Sequence, residues 1–148
     1  MAFHFALAAV LHFRQSVEHQ QELRLRAANQ RVARVRHLIE QMEAHRHELG
    51  LMQLKRLSAG ITAAELRFEL QCEGQLVRHR RELEQQLAGL EKARDQQRAI
   101  FHEARRARET LESLRDRQLR LYQKEFLRRE QRTLDDLFLM RREYLHCG

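Results

Sequence analysis

Nine histidines, two cysteines and one adjacent pair of aspartates are the side chains of this 148-residue sequence that could do chemistry. A helix holds a metal ion with ligands three or four positions apart. His4, His12, His19, His37, His45, His47, His79, His102 and His146 never show that spacing. His45 and His47 stand two apart and face different ways. They read as solvated histidines. Asp135 and Asp136 are neighbours, so a helix turns them apart, and they cannot converge as an acid–base pair. Cys72 has Glu69 and Glu73 within one turn, and both oppose a thiolate. It reads as a small apolar side chain. Cys72 and Cys147 are too far apart for a zinc or redox motif, and as free thiols they fit a reducing compartment. Five scattered glycines build no phosphate loop. The expectation is a protein without cofactor, metal or small-molecule substrate, and not an enzyme.

The elements that would carry these residues are helices. The sequence has no proline, no tryptophan and a mean hydropathy of −0.71. Ala, Leu, Glu, Gln and Arg dominate it, all strong helix formers. One third of the residues are charged, which together with helical periodicity marks long helices and coiled coils. The one interior cluster of breaking signals is Ser58-Ala59-Gly60-Ile61-Thr62. Gly60 suits the left-handed conformation that ends a helix, and Lys55 and Arg56 suit the preceding last turn. Thr62 with Glu65 three residues later reads as a capping box. The fold class is therefore all-α: two long helices in an antiparallel coiled-coil hairpin, the second longer than the first. A single hairpin over 1–148 is expected, with helix 1 at about 4–57, a turn at 58–62 and helix 2 at about 63–145. Such a rod has little room for an enclosed active site.

Helix 1 carries a heptad seam of Leu25, Ala28, Val32, Val35, Ile39, Met42, Arg46 and Leu49, which Leu38 and Met52 widen. Helix 2 has a less regular one: Leu66, Leu70, Val77, Leu83, Leu87, Leu90, Phe101, Ala104, Leu111, Leu114 and Leu121. Arg94, Gln97, Arg108 and Gln118 fall on or beside it. Folding about residue 60 exhausts helix 1 near residue 115. The segment from about Gln118 to Cys147 is then left without an intramolecular partner, although Leu121, Phe126, Leu127, Leu134, Leu137, Phe138, Met140, Tyr144 and Leu145 make it amphipathic. Exposed apolar surface of this kind usually marks a partner site. Phe3, Phe5, Leu7, Val10 and Leu11 lie at the same end. Near the turn, Phe68, Cys72, Gln75 and His79 step by four, three and four along one face. That stripe is either hairpin packing, with Leu66 and Leu70 in the seam, or a second partner site.

The net charge of +7 favours acidic surfaces without choosing among protein, nucleic acid and lipid. Basic runs at Arg31–Arg36, Arg78–Arg81 and Arg105–Arg108 are interleaved with Glu82, Glu84, Glu103, Glu109 and Glu112. Mixed signs read as a solvated helix face rather than a nucleic-acid-binding basic region. The apolar opening residues lack a basic flank and do not read as a signal peptide. No stretch has the uncharged length of a membrane span, so the expected location is the cytoplasm.

Three stretches resemble one family. Phe3-His-Phe5-Ala-Leu7-Ala-Ala-Val10-Leu11-His-Phe-Arg14 is similar to the opening of FliJ-type flagellar export proteins. Ser58-Ala-Gly-Ile-Thr62 followed by Glu65-Leu66 resembles their hairpin turn. Arg129-Glu130-Gln131-Arg132-Thr133-Leu134-Asp135-Asp136 resembles their most recognisable stretch, usually Glu-Gln-Lys, two residues, then Asp-Glu or similar. The resemblance runs the length of the chain. It implies a fold like the coiled-coil stalk of rotary ATPases, and a role in the flagellar type III export apparatus. The implied partners are a hexameric export ATPase, the cytoplasmic domain of the export gate membrane protein, and export chaperones. It also implies a location in the cytoplasm, peripheral at the inner membrane through that apparatus. The resemblance points Phe3, Phe5, Leu7, Leu127, Glu130, Gln131, Leu134, Asp135, Asp136, Leu137 and Phe138 at the ATPase. It points Phe68, Cys72, Gln75 and His79 at the gate, bordered by Leu38 and His45. Cys72 and Gln75 stand where the family pattern has more apolar residues. The rival readings are an injectisome-type stalk protein of a type III secretion system and, from another class, a basic coiled-coil nucleic-acid binder. An enzyme comes last.

Overall fold

The computed structural model describes residues 2–148. It contains two helices, α1 (Ala8–Ala59) and α2 (Ala63–His146), paired as an antiparallel coiled-coil hairpin in which α2 is the longer. No strand occurs among the described residues. With no proline to remove a backbone donor, nothing in either segment interrupts the helical ladder. α2 continues through Gly74 and Gly89 without a break.

The turn is built from local chemistry. The Ser58 hydroxyl donates to the Lys55 carbonyl at 2.7 Å. Gly60 adopts a φ of 90°, a backbone state that side chains with a Cβ rarely take. Thr62 Oγ1 then accepts the Glu65 amide at 3.3 Å, and the Leu66 amide donates to the Thr62 carbonyl at 3.1 Å. Thr62 is thus the N-cap of α2 and satisfies one of its orphan amides.

α1 begins at Ala8, later than a start near residue 4. Residues 2–5 precede it in non-helical backbone and close with a turn, in which the Ala8 amide donates to the Phe5 carbonyl at 3.1 Å. The non-helical path lets Phe5 bury itself, which outweighs four more helical residues: a buried aromatic is worth about 1.5–3 kcal/mol.

The chain separates into two packed units. The unit His19–His102 includes the turn. Its core is Val32, Val35 and Leu83. Its register matches folding about residue 60: the Gln97 amide donates to Gln21 Oε1 at 2.6 Å, and Arg36 pairs with Glu91 at 2.8 Å. Leu83, Leu87, Leu90, Arg94, Gln97 and Phe101 alternate steps of four and three and are all buried or half-buried. Leu38 and Met52 are exposed instead of widening the α1 stripe. Two paired helices cover only a narrow seam, and residues beside it stay in water.

The second unit combines the residues up to Glu18 with Glu103–Gly148. Phe5 and Leu11 are its buried side chains. Arg108 lies in its seam, half-buried, and pairs with Glu18 and, at 2.5 Å, with Glu112. The hydrogen bond to Glu18 raises the Arg108 guanidinium above its ordinary value and burial opposes it, so the group stays charged.

Candidate functional site

The sequence points to two surfaces, one in each unit. The first surrounds the turn. Counting back from Leu83 in threes and fours lands on Arg80, Leu76, Glu73, Glu69 and Leu66. These positions form the actual interface of α2 with α1. Arg80 pairs with Glu43 at 2.6 Å, Arg46 with Glu73 at 3.3 Å and Arg56 with Glu69 at 3.1 Å. Leu70, which an apolar seam would include, is 56% exposed. No residue from 46 to 76 falls in the buried class. Here charges share the seam with the half-buried Leu66 and Leu76, and Leu51, Met52, Leu54, Leu57 and Phe68 face water.

This arrangement opens a groove of about 740 Å³. Leu49, Met52, Phe68 and Leu76 supply apolar walls, and Cys72 lines it beside them. Phe68 is the most exposed of these, at 68%. The stripe Phe68, Cys72, Gln75 and His79 is continuous along α2, but only its first two members line the groove. Gln75 and His79 lie further along, exposed, with His79 3.8 Å from Glu82. His45 falls between the Glu43–Arg80 and Arg46–Glu73 pairs, level with Gln75 and His79. Leu38 lies beyond, between the Arg36–Glu91 and Glu43–Arg80 pairs, away from Phe68. Sequence reasoning placed Arg46 in the α1 seam but missed Arg56, Glu69 and Glu73 as interface residues. Strict three–four counting would have found them, whereas a search for apolar stripes skips charges.

The second surface belongs to the other unit. Phe3 is half-buried, with its ring centroid 5.6 Å from that of Tyr122, and Tyr122 stacks on Phe126 at 6.5 Å. Phe5 is buried and Leu7 exposed. Of these three, Leu7 is open to a partner, Phe3 partly so, and Phe5 anchors the segment. Leu119 and Tyr122 are half-buried, so the segment without cover starts at residue 123, not 118; from there to Gly148 every residue is exposed. Leu127, Gln131, Leu134 and Phe138 share one face by steps of four, three and four. Glu130, Leu134 and Leu137 follow an adjoining line, while Asp135 and Asp136 diverge. A shallow groove of about 500 Å³ runs along Tyr122, Phe126, Glu130 and Leu134. Arg129 closes one side of it by pairing with Glu125 at 2.7 Å.

Among the described residues no group of three or more His, Cys, Asp or Glu side chains could hold a metal ion. No described helix is long and apolar enough to cross a membrane. Both grooves have apolar walls crossed by ion pairs. Neither the curated proteins nor the solved structures include a match to the sequence. The family described as Flagellar FliJ protein does match, over residues 3–143. That span is nearly the entire sequence and carries the opening aromatics, the turn and the Glu130–Asp136 stretch, so the chain belongs to the FliJ family of flagellar export-apparatus proteins.

Proposed function

We propose that this chain couples the hexameric flagellar export ATPase to the cytoplasmic domain of the export gate and assists in handling export chaperones. It works in the cytoplasm, peripheral at the inner membrane through the export apparatus. The exposed segment after Tyr122 is the observation that carries the reading. An amphipathic helix with this much uncovered apolar side chain gains stability by docking. The ATPase is its partner, contacted by Leu127, Glu130, Gln131, Leu134, Asp135, Asp136, Leu137 and Phe138, with Phe3 and Leu7 at the margin and Phe5 holding them. The gate binds the turn-proximal face through Phe68 and Cys72, with Gln75, His79 and His45 extending the contact and Leu38 at its far limit.

Family membership supports the flagellar setting over an injectisome. Arg36, Arg80, Arg105 and Arg108, drawn from the three basic runs, are engaged in ion pairs, which weighs against a nucleic-acid partner. The test uses two variants and pull-down against each partner. Deleting residues 123–148 abolishes ATPase binding and leaves gate binding. Phe68→Ala with His79→Ala impairs gate binding and spares the ATPase. Loss of both contacts in either variant refutes separate sites.

A further inference from the structure

Two opposite charges stand inside the apolar strip of the uncovered segment. Leu127, Glu130, Leu134, Leu137, Arg141 and Tyr144 alternate steps of three and four and so run down one face of α2. Phe126, Thr133 and Met140 flank that line on one side, and Gln131, Phe138 and Leu145 on the other. The positions from Arg128 to Glu143 that remain for the far side are all charged, apart from Leu139. Neither Glu130 nor Arg141 has an opposite charge three or four residues away. Among the described residues the one ion pair of this segment joins Arg129 to Glu125, so Glu130 and Arg141 are both exposed without one.

We infer that this strip pairs with the same strip of a second copy of the chain, antiparallel, in the one register that sets Glu130 against Arg141. Two-fold symmetry makes that contact twice. The same register brings Leu127 opposite Tyr144 and Leu134 opposite Leu137, so every position of the line meets a suitable partner. Met140 comes beside Thr133, on the edge of the shallow groove lined by Phe126, Glu130 and Leu134. A slip of one heptad sets Arg141 against Gln123 or against Leu137 and leaves both charges unmatched. Parallel pairing sets Glu130 against Glu130 and Arg141 against Arg141. Charged seam positions fix register and orientation in this way, at a cost in stability. Glu125 comes level with His146, the last residue of α2. The overlap therefore takes up the uncovered helix and stops short of Tyr122, where the chain covers itself. The pairing goes beyond the ATPase reading and does not need it. Where both hold, Leu127, Glu130, Leu134 and Leu137 cannot serve a second copy and the ATPase at once, and the two contacts compete.

The test is sedimentation equilibrium of the full chain over a concentration series. Two helices with charges in their seam pair weakly, so dilute chain is monomeric and concentrated chain dimeric. Glu130→Arg and Arg141→Glu each bring like charges face to face, and each weakens the dimer by about tenfold or more. Both positions are exposed in the single chain, so the helical circular dichroism of each dilute variant matches that of the unaltered chain. An equimolar mixture of the two variants regains the dimer, because opposite charges meet again, and so does one chain carrying both substitutions. A chain that stays monomeric at every concentration refutes the inference and leaves the strip to another protein. A dimer that both single variants leave intact refutes the register. Weakening that persists in the mixture shows that the two residues do not face each other and also refutes it. A dimer lost in Phe68→Ala but kept in both charge variants belongs to the turn-proximal groove instead. Since the chain is measured alone, none of these failures touches the ATPase reading, which pull-down of the 123–148 deletion decides.

Discussion

Leu83 and Leu70 are the same residue type on the same helix, yet one is 7% and the other 56% exposed. The difference is the side of the seam each falls on. Leu83→Ala is expected to lower stability by about 2 kcal/mol, the low end for a buried leucine because a two-helix seam relaxes easily. Leu70→Ala is expected to change it by less than about 0.5 kcal/mol. Urea unfolding followed by circular dichroism separates the two. Thr62 is the other residue whose role is local. Removing its hydroxyl in Thr62→Ala leaves the Glu65 amide without its cap and is expected to cost about 1 kcal/mol, seen as a lower thermal midpoint. The cap and the Gly60 turn were legible in the sequence because both depend on neighbours a few residues apart. The partnership of Glu69 with Arg56 was not, because it depends on which face of each helix turns inward.

At the scale of the element, α2 has three stretches of different character along its length. Near the turn its seam is charged, from Leu83 to Phe101 it is mainly apolar, and after Tyr122 there is nothing against it. Ion pairs between exposed groups are screened by salt and individually weak. Residues 46–76 are therefore expected to exchange backbone amides faster than residues 28–39, and still faster at high salt, as hydrogen–deuterium exchange will show. If the turn-proximal segment proves as protected as the Val32–Val35 layer, the charged seam is stronger than this account allows. The segment after Tyr122 makes the opposite test. Since all of it is exposed, deleting residues 123–148 is expected to leave the thermal midpoint within about 2 °C. A large drop would mean that the segment packs on its own chain.

For the whole molecule, the family match covers residues 3–143 and so spans both units. Each unit offers a surface of its own: a groove crossed by ion pairs in one, and an uncovered amphipathic helix in the other. Two surfaces in two units predict separable losses, so the deletion of 123–148 and the Phe68→Ala, His79→Ala pair should each remove one partner in pull-down and leave the other. The net charge of +7 gives both surfaces a general attraction to acidic partners.

By itself the sequence determined the helices, the turn and the mismatch in their lengths. Each follows from short-range rules: propensity, the absence of proline, a glycine stop and a threonine cap. It also determined the heptad interface of α1, where Val32, Val35 and Ile39 repeat without ambiguity. Only the tertiary structure decided that Glu69 and Arg80 turn inward while Leu70 and Phe68 turn outward. The physical reason is that a coiled coil keeps its three–four phase from one layer to the next. Once Leu83, Leu87 and Leu90 fix that phase, the positions nearer the turn are carried into the interface whatever their polarity, and the apolar side chains left outside form the groove.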